Sequence, residues 1–136
     1  MKTGEDIKDD VYKALKGTDL VKEVTGTLRK RDRLEISDKE DVIISILGNE
    51  LAQYQTAYVN VNIYVQDVWG EGQLEMHDRR IKQLCRMAMD EMRVIRLDGG
   101  RIRITLEKQE VIRLKDNNEH MINNRLLYAI IHDATK

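Results

Sequence analysis

The segment 57-AYVNVNIYVQD-67 places Val59, Val61, Ile63 and Val65 in one row and Tyr58, Asn60, Asn62, Tyr64 and Gln66 in the other. Strict alternation predicts a strand, because successive side chains point to opposite faces of a sheet. The first row is apolar and calls for a core. The second is polar but carries no charge, in a chain in which 35% of residues are charged. A strand facing plain water usually carries Lys, Glu or Thr there, so this row predicts a face that meets something other than bulk solvent.

Neighbouring segments extend the sheet. In "DVIISILGN" (41–49), Val42, Ile44 and Ile46 share one face and Ile43, Ser45 and Leu47 the other. Apolar character on both sides predicts burial on both, or burial on one and a partner on the other. The middling link "ELAQYQTA" suggests that this strand pairs antiparallel with 57–67. Upstream, "VTGTLRKRDR" reads as a strand or hairpin arm and "SDKED" as a turn. Downstream, "GRIRITLEKQEVIRL" alternates Ile102, Ile104 and Leu106 with Arg101, Arg103, Thr105 and Glu107, and Val111 to Leu114 continue it after a bulge or turn. The segment 121–132 fits a strand or a short helix; Tyr128, Ile130 and Ile131 favour the strand.

Two helices complete the pattern. Ile7, Val11, Ala14 and Leu15 form one helical stripe, with Thr3 as N-cap, Asp6 in a capping box and Gly17 as the stop. Ile81, Leu84, Cys85, Ala88, Met92 and Ile95 form a longer stripe that starts near Asp78 and runs to "DGG". The order of helix, strands, long helix and strands predicts one α+β domain over 1–136. Its sheet is mostly antiparallel, with the N-terminal helix and the long helix packed on one face. The uncharged row would lie on the opposite face.

Bulk properties narrow the function. The net charge is −1 despite 23 basic and 24 acidic residues, which argues against a generic basic nucleic-acid binder and an acidic disordered tail. Cys85 is the single cysteine, so no intrachain disulfide framework is expected, in keeping with a reducing compartment. "MKTGEDIKDD" has no apolar segment of the kind a secretory signal needs, and no apolar run approaches the ~20 residues of a membrane span.

Catalytic patterns are weak. His77, His120 and His132 match no metal-ligand spacing and read as solvated or satisfied histidines. Cys85 sits on an apolar stripe and reads as a small hydrophobe. "GEGQLE" lacks the third glycine and the βαβ context of a dinucleotide turn, and reads as a loop. Arg29, Lys30, Arg31 and Arg33 could meet phosphates, but no aromatic platform interleaves with them; a solvated or salt-bridged face is the simpler reading. Neither catalytic residues nor a cofactor or metal are expected. Trp69, in the glycine-bearing loop, and Met87, outside the main stripe of the long helix, join the row Tyr58, Asn60, Asn62, Tyr64 and Gln66 as candidate interface residues.

The arrangement from Ile7 to Met92, with "EVTGTLRKRDRLEISDKEDVIISILGN" as strand, turn and strand and "TAYVNVNIYVQDVW" as the central strand, resembles the tail-terminator or tail-completion proteins in the necks of tailed phages and prophages. The resemblance lies in element order rather than in an invariant motif. It implies an α+β protomer that closes into a ring, usually sixfold, at the end of the tail tube. Such a ring stops tube growth, meets the head connector and catalyses nothing. Its partners would be copies of itself, tail-tube subunits and connector proteins, with nucleic acid met only in a lumen and no membrane. It would reside in the virion, and in the bacterial cytoplasm during assembly.

Overall fold

A computed structural model describes residues 1–52 and 54–131; His132, and with it the end of the ambiguous segment 121–132, lies outside the described residues. The chain starts with α1 (Gly4–Leu15) and a short α2 (Asp19–Glu23), followed by β1 (Leu28–Arg29), β2 (Val42–Glu50) and β3 (Thr56–Gln66). A small hairpin, β4 (Val68–Gly70) and β5 (Gln73–Glu75), leads into α3 (Asp78–Met92). Three strands close the fold: β6 (Val94–Leu97), β7 (Ile102–Leu114) and β8 (Glu119–Ile130). The main sheet has the order β1-β2-β3-β8-β7-β6. Among the described strands only the β1–β2 pairing is parallel. This is the expected α+β fold with a mostly antiparallel sheet.

The core explains the layering. Ile7, Val11 and Leu15 of α1 and Ile81, Leu84, Ala88 and Met92 of α3 are buried in one cluster with Val42 and Ile44 of β2. The same cluster holds Val59, Val61, Ile63 and Val65 of β3 and Ile122, Leu126 and Tyr128 of β8. Burying each such side chain stabilises the fold by about 1.5–3 kcal/mol before conformational entropy is counted. Because the apolar row of β3 points at the helices, its polar row must point away from them.

α1 begins as its sequence predicts. Thr3 Oγ1 accepts from the Asp6 backbone N–H at 3.1 Å, and Asp6 Oδ2 accepts from the Thr3 N–H at 2.9 Å. These bonds, led by the one from the Thr3 backbone, hold the Asp6 carboxyl below the usual aspartate range. Tyr128 donates its hydroxyl to Asp10 at 2.6 Å, joining α1 to β8, and burial together with Asp10 pushes the phenol well above its ordinary range.

Three expectations change, and one further element appears. "VTGTLRKRDR" contributes only Leu28–Arg29 as strand, parallel to the start of β2 rather than as a hairpin arm. α2, capped by Thr18, precedes it. The long helix stops at Met92: Val94–Leu97 leave it as β6 and pair with Leu97↔Ile102 through Val94↔Thr105. Asp98, Gly99 and Gly100 all have positive φ (52°, 63° and 91°), which turns the chain back and lets Ile95 reach the core from a strand. Finally, "WGEGQ" is a hairpin rather than an open loop, with Glu71 (φ 48°) and Gly72 (φ 84°) at its turn.

Both long edge-side strands carry a bulge. In β7 the register shifts between Leu106 and Lys108, so beyond the shift Gln109 takes the core side that Ile102 and Ile104 occupy before it. Gln109 Nε2 donates to the Cys85 carbonyl at 3.1 Å and to Asn124 Oδ1 at 2.8 Å. Asn124, fully buried, donates in turn to the Val61 carbonyl at 3.0 Å. This chain of amides ties α3 to β7, β8 and β3 across an otherwise apolar layer.

Candidate interaction face

Among the described residues no helix covers the other side of the sheet, and its central strands meet there in fixed register. Asn62 stands opposite Ile43 of β2 and Asn123 of β8; Asn60 stands opposite Ser45 and Arg125; Tyr58 opposite Leu127; Tyr64 opposite Met121. The eleven-residue β3–β8 pairing runs from Thr56↔Ala129 to Gln66↔Glu119 without a shift, so these neighbours share one surface throughout.

The residues hold one another. Asn123 donates its Nδ2 to Asn62 Oδ1 at 2.7 Å and to Asn60 Oδ1 at 3.1 Å. The three amides form a short ladder across two strands, half-buried between the flanking side chains. The Arg125 guanidinium stacks 4.1 Å from the centre of the Tyr58 ring. At the other end, Arg33 stacks 4.1 Å from the Tyr64 ring.

Arg33 is the anchor of the loop that crosses this end of the sheet. Its Nε donates to Asp41 Oδ2 at 2.9 Å, one terminal nitrogen to Glu119 Oε1 at 2.6 Å and the other to the Lys39 carbonyl at 2.8 Å. Glu119 also accepts from Gln66 Nε2 at 2.7 Å, and Ser37 donates to Asp41 at 2.5 Å. Burial alone would raise the Asp41 pKa, but the bonds from Ser37 and Arg33 outweigh it and hold the carboxyl below its ordinary value. Burial is also the main cause that raises the Tyr64 phenol, against the pull of Arg33. A hollow of about 670 Å³ opens beside this network, between the 33–38 loop, Tyr64, Gln66 and Glu119.

The structure therefore brings together Tyr58, Asn60, Asn62, Tyr64 and Gln66, with Gln66 and Tyr64 tied into the Arg33 network. Trp69 stands apart on the β4–β5 hairpin, 73% exposed. Met87 departs from its expected place: it leans on the core, and Met89 is the exposed methionine of α3. The four basic residues do not make a common surface. Arg29 donates to the Asp32 carbonyl, Lys30 pairs with Asp9 beside the Tyr12 ring, and Arg33 is enclosed by carboxylates, leaving Arg31 alone of them without a partner among the described residues. The basic residues of α3 divide likewise, since Arg80 clamps Glu40 at 2.6–2.7 Å and Glu23 at 2.7 Å. Of the histidines, His77 caps α3 through Nδ1, and His120 Nδ1 lies 2.7 Å from Asp67 Oδ1. Burial raises the Cys85 thiol pKa and keeps it protonated.

Alternation could not reveal Arg125, Asn123 and Leu127 as members of the face, because their membership depends on which strand pairs with β3. The charge at Arg125 interrupts the uncharged surface expected from β3 alone. Among the described residues β1 pairs with only Val42 and Ile43 on the outer edge of β2, and Leu47, the extra residue where the β2–β3 register shifts, is exposed. No described helix is long and apolar enough to cross a membrane. No protein-family model matches this chain, and no curated protein matches it.

Proposed function

We propose that this protein is a structural subunit that assembles with copies of itself through the helix-free side of its sheet, as a ring in the neck of a tailed phage or prophage. The observation that carries the reading is the surface built by Tyr58, Asn60, Asn62, Asn123 and Leu127, which is rich in amides and tyrosine, with Arg125 as the charge set among them. Subunit interfaces favour Tyr and deplete charge at their centre. The neck assignment is drawn from the element order between Ile7 and Met92; in that role the ring would sit at the end of the tail tube beside the head connector.

Mass photometry over a concentration series tests the assembly. The wild-type chain is expected to form a discrete closed oligomer, and a strict monomer at every concentration would count against the proposal. Replacing Asn60 and Asn62 together by Lys puts two charges at the centre of the face, where like charges from neighbouring copies would meet. Assembly should be lost while the far-ultraviolet circular dichroism stays that of the wild type.

A further inference from the structure

We infer that Arg125 is a receptor for a carboxylate supplied by a second copy of this chain, delivered by its exposed loop 34–38. The inference rests on the assembly reading above and names a contact within it. Two arginines of this fold stack on tyrosine rings at the same 4.1 Å, and they differ in what completes them. Arg33, over Tyr64, is completed by two carboxylates and a carbonyl of its own chain. Arg125, over Tyr58, has no carboxylate partner among the described residues, and its buried Nε has no hydrogen-bond partner. A buried donor left unmade is costly, and native structures rarely leave one without a reason. The nearest registered acid, Glu110, stands opposite Asn123 and is 3.5 Å from Lys108. Arg125 thus has the ring and the cation of the Arg33 site but lacks the anion.

The loop supplies the complement. Arg33 fixes its root, while Leu34 and Ile36 point into solvent, Ile36 being 96% exposed. Glu35 and Asp38 are exposed among them and have no ion-pair partner among the described residues. An acid flanked by bare apolar side chains matches a face on which an unneutralised guanidinium stacks on Tyr58, two residues along β8 from Leu127. Arg125 stands opposite Asn60 of β3 and Lys108 of β7. Phosphates fit less well, since Lys108 is already 3.5 Å from Glu110 and the remaining neighbours Asn60 and Asn123 are uncharged amides.

Sedimentation velocity on the full chain decides the matter. Arg125→Glu, the pair Glu35→Arg with Asp38→Arg, and Ile36→Asp should each weaken self-association at least about thirtyfold. Combining Arg125→Glu with the two loop reversals should restore it. Ile36→Asp and the loop reversals alter exposed positions, and unchanged far-ultraviolet circular dichroism of each variant shows that a loss there does not report misfolding. If the loop variants associate like wild type, the loop–Arg125 contact is refuted while assembly through the rest of the face stands. If both charge reversals abolish association and the combination fails to restore it, the pairing is refuted. A wild-type chain that never associates removes this contact and the assembly reading together. Binding of a DNA duplex that requires Arg125 and weakens steeply with salt would reassign the site to phosphate.

Discussion

Replacing Arg33 by Met should destabilise the chain by about 3–5 kcal/mol and lower its melting temperature by on the order of 10 °C or more. Glu119 and Asp41 are almost fully buried, with side-chain exposures of 1% and 5%, and Arg33 is the cation between them. Methionine keeps much of the side-chain volume but leaves two carboxylates in a dry setting with no compensating charge, the situation in which breaking a buried pair is most damaging. Acid should narrow the difference. The Asp41 pKa is depressed in the folded chain, so its contribution is fully present above the ordinary aspartate pKa near 4 and is lost as the pH falls through the lower folded value. Urea unfolding of both proteins at pH 7 and at pH 3 checks this: the gap should be large at neutral pH and smaller in acid. An equal gap at both values would mean that Arg33 acts by packing on Tyr64 and not through charge.

Leu84→Ala should cost about 2–5 kcal/mol, because Leu84 is fully buried in the middle of the α3 stripe and truncation leaves a cavity between helix and sheet. The same truncation at Leu127, on the helix-free side, should cost below about 1 kcal/mol in the dissociated chain. Urea unfolding at a concentration too low for association provides the comparison. Raising the concentration should then penalise Leu127→Ala through weaker assembly and leave the Leu84→Ala deficit unchanged. Similar losses at the two positions in the dilute chain would show that the sheet is packed alike on both sides.

Much of this fold can be read from local pattern. Thr3 and Asp6 announce the start of α1, and the alternations in β3 and β7 announce strands, because each signal depends on neighbours within a few residues; the β8 segment fits either spacing, and its pairing with β3 and β7 makes it a strand. The end of α3 is different. Val94 and Ile95 continue a helical stripe by spacing, yet the three positive-φ residues after Leu97 make a hairpin with β7 more favourable, and that pairing is not visible within the window of the stripe. α2 is a single turn or so of helix, too short for periodicity to mark.

The interaction face divides in the same way. Its Tyr58–Tyr64 row follows from alternation alone, whereas Arg125 and Asn123 join it through pairing across more than sixty residues of sequence. Arg33 stood in a basic run that suggested solvent or phosphate. Its partner Glu119 lies 86 residues away, and only the closed sheet puts the two in contact. Buried polar residues such as Asn124 and Gln55 follow this rule too, since each is satisfied by a carbonyl or amide that tertiary structure delivers.

The central claim is that the side of the sheet facing away from the helices is the surface this protein buries when it assembles. Hydroxyl-radical footprinting, read by mass spectrometry at dilute and concentrated protein, tests it most directly. Tyr58, Met121 and Leu127 should become protected as the concentration rises, while Met89 on α3 keeps its reactivity. Protection of Met89 with unchanged labelling of Tyr58 and Leu127 would place the interface on the helices and contradict the account.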